Sequence, residues 1–178
     1  MKIHGTAKGG AISKKDFGVA FGGGGVAPFE YTQTCTNNPT GMSSSYIRYG
    51  ANLTNVLFHD LTVASITFTI KHKTTTTSVN FTLYAYDENF ANEESLDSLT
   101  QSMTTSYSTI TFDFSHTFGS AGGYLLFSYS NNDLQIGEAD PAVTTSCDAS
   151  TTDVVVGRIN NAGTGSSLPS YPTISITN

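Results

Sequence analysis

The sequence predicts an all-β protein: an antiparallel β-sandwich of jelly-roll type, preceded by an extended glycine-rich arm. Three observations lead there. Apolar residues recur at every second position in several segments and nowhere at i, i+3, i+4 and i+7 over three turns. Of 178 residues, 27 are Thr and 21 are Ser, joined by 9 Tyr and 11 Phe, whereas the charged helix formers are few. Clusters of Gly, Asn, Asp and Ser separate the apolar runs at the short spacing of sandwich strands.

Taken in chain order, Ser44–Tyr49 and Leu53–Phe58 are the first candidate strands. Leu61–Lys71 is clearer: Ala64, Ile66, Phe68 and Ile70 fall on one side, Val63, Ser65, Thr67 and Thr69 on the other. The polar KHKTTTTS stretch then makes a hairpin or a bridging loop. Val79, Phe81, Leu83 and Ala85 point inward in the next strand, with Asn80, Thr82, Tyr84 and Tyr86 outward. At most a short helical turn is expected near Asn92–Leu96. Ile110, Phe112 and Phe114 alternate with Thr109, Thr111 and Asp113. Gly123–Ser130 is apolar on both faces, so it is a central strand or a subunit contact. Asp153–Val156 and Thr173–Thr177 complete the set. Stacking two sheets buries one face of each strand, and a jelly roll is the common eight-strand solution.

Charge divides the chain unevenly. Residues 1–25 hold 8 of the 17 glycines and the four lysines Lys2, Lys8, Lys14 and Lys15; with Asp16 they carry +3, leaving −9 on the remainder. Residues 1–30 are therefore read as an arm and 31–178 as the sandwich, with the lysines serving assembly against an acidic neighbour. An acidic body argues against nucleic acid as the partner. No apolar run is long enough to span a bilayer. The opening residues lack the apolar core of a secretory signal, so synthesis in a cytoplasm is expected. Yet the hydroxyl-rich, lysine-poor composition suits an exterior. Virion proteins meet both demands.

The order of features across residues 48–135 resembles the jelly-roll modules of phage and archaeal-virus structural proteins, and of bacterial surface-binding proteins. The features are Ile66-Thr67-Phe68, Phe81-Thr82-Leu83-Tyr84, an acidic loop, Thr111-Phe112-Asp113-Phe114 and Gly123-Tyr124-Leu125-Leu126. Gly9-Gly10-Ala11-Ile12-Ser13-Lys14-Lys15-Asp16-Phe17-Gly18 is similar to the N-termini of small virus-like proteins. The resemblance implies a virion structural protein, located in the virion, whose partners are its own copies and other virion proteins. The alternative it implies is a carbohydrate-binding module of a tail, cell surface or secreted assembly. It brings no catalytic residues.

Chemical motifs are sparse. Gly22–Gly25 runs into Val26-Ala27-Pro28 and cannot be a P-loop. Gly163-Thr164-Gly165-Ser166-Ser167 lacks the spacing of a nucleophile elbow. His4, His59, His72 and His116 stand at no metal-ligand spacing, and neither His59-Asp60 nor Asp113…His116 makes a convincing base–orienter pair among 21 serines. The expectation is a non-enzyme without a resident cofactor. Asp87, Glu88, Glu93, Glu94 and Asp97 are hard oxygen ligands that suit Ca²⁺, against the plainer reading of a solvated acidic loop. A second polar group, Asn131, Asn132, Asp133, Glu138 and Asp140, is a weaker case. Tyr84 and Tyr86, outward on one face, are candidates for stacking on a sugar. Cys35 and Cys147 stand 112 positions apart and either cross-link the two ends of the sandwich or remain buried thiols.

Overall fold

The computed structural model describes residues 28–35, 40–42, 45–131, 133–136, 138–139, 154–168 and 170–178. The basic arm, with Lys2, Lys8, Lys14 and Lys15, lies outside the described residues, as do Cys147, Asn132 and Asp140. The strands are β1 (Glu30–Gln33), β2 (Thr40–Gly41), β3 (Tyr46–Asn52), β4 (Thr62–His72), β5 (Thr77–Asp87), β6 (Glu94–Met103) and β7 (Ser108–Thr117). After them come β8 (Gly123–Tyr129), β9 (Leu134–Ile136), β10 (Glu138–Ala139), β11 (Val155–Asn160), β12 (Gly165–Leu168), β13 (Tyr171–Pro172) and β14 (Ile174–Thr177).

They form a two-sheet β-sandwich. In the first sheet β4 pairs with β7 along one edge; β14 and then β9 share its other edge, continued by β1 beyond β14 and β2 beyond β9. The second sheet has the order β12-β11-β3-β8-β5-β6. Every ladder is antiparallel. Gly123–Tyr129 is indeed a central strand, between β3 and β5.

The inward rows meet in a core of aromatic rings. Phe127 of β8 packs edge-on against Phe68 of β4 at 4.9 Å and Phe81 of β5 at 5.9 Å, and Phe112 of β7 completes the group. Edge-to-face pairs set the negative ring face against a neighbour's positive rim. Val79, Leu83, Ala85, Ile66, Ile70 and Ile110 are buried beside them, as their alternation predicts. Thr111 is exposed, while Thr67 and Thr82 are half-buried at the outer surfaces. Outward hydroxyls on the first sheet pair across strands: Thr67 with Thr111 at 2.9 Å, Ser65 with Thr177 at 2.9 Å.

Three sequence expectations need correction, and each has a local cause. Val63 is fully buried, because a bulge between Val63 and Ser65 turns both Val63 and Ile66 inward and leaves Ala64 half-buried. Phe114, near the same irregularity, is only partly buried. Leu53–Phe58 is not a strand. Asn52 Oδ1 accepts from the Thr54 N–H and Asn55 Oδ1 from the Leu57 N–H, and these side-chain bonds turn the chain into a single 3₁₀ turn at Val56–Phe58. No helical turn forms near Asn92–Leu96, since β6 begins at Glu94 and its backbone is spent on the ladder with β5.

The KHKTTTTS stretch bridges the sheets, carrying the chain from β4 to β5. The β6–β7 hairpin also straddles them. Its strands have no ladder between them; side chains stand in instead. Gln101 Nε2 donates to the Thr109 carbonyl at 3.1 Å, the Asp113 N–H donates to Asp97 Oδ2 at 3.2 Å, and His116 Nδ1 lies 3.1 Å from Glu94 Oε2. All three pairs keep one antiparallel register, so this edge of the sandwich is laced shut.

Candidate functional site

The second sheet carries an unusual outer face. Period-two strands normally give water their polar row, but here Tyr86, Tyr124, Leu126 and Ile159 form a second buried apolar cluster, with Tyr84 and Phe90 packed against it. Its row order comes from the ladders: Tyr86 of β5 is the cross-strand partner of Tyr124 in β8, whose partner on the other side is Asn52 of β3. Tyr86 is 4% exposed, which corrects the expectation that it faces outward to solvent. The chain that follows Asp87 accounts for it, because residues 88–93 fold back over this face and Phe90 packs on the cluster.

That connection is tightly framed. Asp87 Oδ1 accepts from the Asn89 and Ala91 N–H groups, both at 2.9 Å, and Oδ2 accepts from Asn92 Nδ2 at 2.7 Å. The Ala91 amide bond, with help from Asn89 and Asn92, holds the Asp87 carboxyl below its ordinary pKa. Phe90 and Asn92 have positive φ, 59° and 53°. Asn tolerates that region; a bulky aromatic does so rarely. The outcome is that the Phe90 ring lies flat on Tyr124, with centroids 3.8 Å apart and planes 20° apart.

Two glycines clear the space. A Cβ on Gly165 of β12 would fall 2.0 Å from Phe90 Cγ, and one on Gly157 of β11 would fall 2.9 Å from Tyr124 Cδ1. Beside this niche, Arg48 of β3 places its guanidinium 3.7 Å above the Tyr84 ring and forks onto Glu93, with bonds of 2.6 and 3.0 Å. The Tyr86 hydroxyl donates to Glu93 Oε2 at 2.9 Å. Arg48 Nε is buried without a hydrogen-bond partner. Tyr84 is therefore already stacked on a cation through one ring face, and Tyr86 is buried.

The carboxylates expected at a Ca²⁺ site point to separate partners. Asp87 caps its own loop, Glu88 accepts from Asn89, Glu93 holds Arg48 and Tyr86, Glu94 meets His116 and Asp97 takes the Ser98 and Asp113 amides. Among the described residues no three His, Cys, Asp or Glu side chains converge as a metal site. Asp133 is exposed at the opposite end of β4, where its carbonyl accepts from the Lys73 N–H. His59 bonds the Thr54 carbonyl, and the buried His72 accepts from the Thr74 and Thr75 amides through Nδ1. Cys35 is fully buried and disulfide-bonded.

Sequence reasoning missed Arg48, Asn52, Phe90, Tyr124, Gly157 and Gly165. Two signals were present: Phe90 is the sole aromatic within the acidic stretch 87–97, and β8 is apolar on both faces. No protein-family model matches the chain, and no curated protein matches it.

Proposed function

We propose that this protein is a structural component of a virion, a capsid, decoration or fibre protein built on a jelly roll and joined to its neighbours through the basic arm. One observation carries the reading: the pairing of the long strands. Four of its ladders, β1 with β14, β3 with β8, β4 with β7 and β5 with β6, nest inside one another along the chain. Nested antiparallel pairs are what a single long hairpin gives when it is rolled into two sheets, and that is the jelly-roll plan. The remaining strands β9 to β13 are an excursion between β8 and β14 that widens the second sheet through β11 and β12. Jelly rolls of this kind recur in capsid proteins.

Charge supports the same reading. A +3 arm and a −9 body attract between copies, with a strength that salt reduces. The test is light scattering on the full chain and on a chain lacking residues 1–25, at low and high salt. A discrete oligomer that the truncation reduces to folded monomers is expected. A full chain that stays monomeric at high protein concentration overturns the proposal, and so does a truncated chain that assembles equally well.

A further inference from the structure

We propose that the niche under Phe90 is a self-occupied carbohydrate site: the Phe90 ring holds the place of a pyranose, which stacks on Tyr124 when Phe90 rotates away. The proposal goes beyond assembly and concerns one face of one subunit. It rests first on geometry. Phe90 covers Tyr124 as a flat six-membered ring at 3.8 Å, and the glycine at 165 leaves room for that ring and no Cβ. The C–H face of a pyranose has the same footprint and stacks on a tyrosine in the same way.

The polar groups lie where a sugar's hydroxyls need them. The row across the sheet is Tyr86, Tyr124, Asn52, so the aromatic floor has a phenol bound to Glu93 on one side and an amide on the other. Asn52 Nδ2 donates to Ser167 Oγ at 3.0 Å, a hydroxyl–amide pair that a sugar hydroxyl can join or replace. Glu93 keeps acceptor capacity beyond its bonds to Arg48 and Tyr86, and half of its side chain is exposed. A purely apolar guest, such as another protein's aromatic side chain, would leave both polar edges unused. That favours the sugar.

Phe90 itself is poorly suited to be permanent filler. It stands at φ 59°, where a bulky side chain is an outlier, and such outliers gather at clamps and switches. The frame beneath it does not depend on the ring: the Phe90 N–H bonds the Asp87 carbonyl, the Asp87 N–H bonds the Ala91 carbonyl, and the Asp87 carboxylate holds two more amides. The ring can therefore leave by side-chain rotation while the loop stays in place.

The experiment uses the full chain and the methyl pyranosides of glucose, galactose, mannose and N-acetylglucosamine. Binding is read by saturation-transfer NMR and by tyrosine emission, which no tryptophan obscures. Phe90→Gly removes both the ring and the positive-φ penalty, so it folds; Phe90→Ala is the companion variant. The expected result is that Phe90→Gly binds at least one pyranoside tenfold or more tighter than the unaltered chain. Adding Tyr124→Ala should abolish the gain. Folded Phe90→Gly and Phe90→Ala that bind none of the four sugars overturn the proposal. So does a gain that survives Tyr124→Ala, or a niche that takes N-acetylphenylalaninamide in preference to every sugar.

Discussion

Phe127 shows how much one side chain carries in a sandwich of this size. Its ring touches aromatic neighbours from both sheets, so truncation empties the centre of the core. Phe127→Ala should cost about 3–5 kcal/mol of unfolding free energy in urea, the range for a buried ring replaced by a cavity. Thr111→Ala, on the exposed row of β7, should stay within about 0.5 kcal/mol. Gln33 is a different case. It is 1% exposed, donates through Nε2 to the Val154 and Pro172 carbonyls, and accepts from the Tyr31 hydroxyl. Gln33→Ala leaves those buried groups without it and should cost about 1–3 kcal/mol. The Phe and Thr roles were legible from alternation. Gln33 was not, since nothing in its neighbourhood of the chain announces carbonyls more than a hundred residues away.

Among the elements, the β5–β6 connection makes the most specific claim. Asp87 has a lowered pKa in the folded chain, so its hold on the loop is complete above the ordinary carboxylate pKa. That hold is lost as pH falls through the lower, folded value. Protection of the Asn89 and Ala91 amides, taken relative to their intrinsic exchange at each pH, should therefore be high at neutral pH and fall only in acid below the usual carboxylate range. Asp87→Ala should show fast exchange at neutral pH, with little change in the core strands. Slow exchange persisting in Asp87→Ala would mean that the backbone bonds of the loop suffice. The β6–β7 edge illustrates the complementary point. Its register is readable from a hairpin, but its replacement of backbone bonds by Gln101, Asp97 and His116 follows from the strands belonging to different sheets.

For the whole molecule, the disulfide at Cys35 ties down the segment just after β1. The Cys35 backbone also exchanges hydrogen bonds with the Thr173 side chain beside β14, so the bridge and the sheet reinforce one another. Reduction should lower the melting temperature, and Cys35→Ser should match the reduced protein. Closing a loop between the two cysteines of this chain is worth about 4–5 kcal/mol in the chain-entropy model. An unchanged melt on reduction would show that the β1–β14 ladder holds this region unaided.

Composition and period-two alternation were enough to determine the all-β class and most of the inward rows of β4, β5 and β7, and they left β8 as a central strand or a subunit contact. Those features depend on each residue's own chemistry and on its nearest neighbours along the chain. The bulges at Val63 and Leu83, the nesting of the ladders and the folding of residues 88–93 over the second sheet were decided only in three dimensions. Tyr86 marks the boundary. Its place in an alternating strand says outward, and it does point outward from its sheet. Yet Phe90, Tyr124 and Glu93 arrive there from other parts of the chain, and burial depends on what covers a side chain as well as on which way it points.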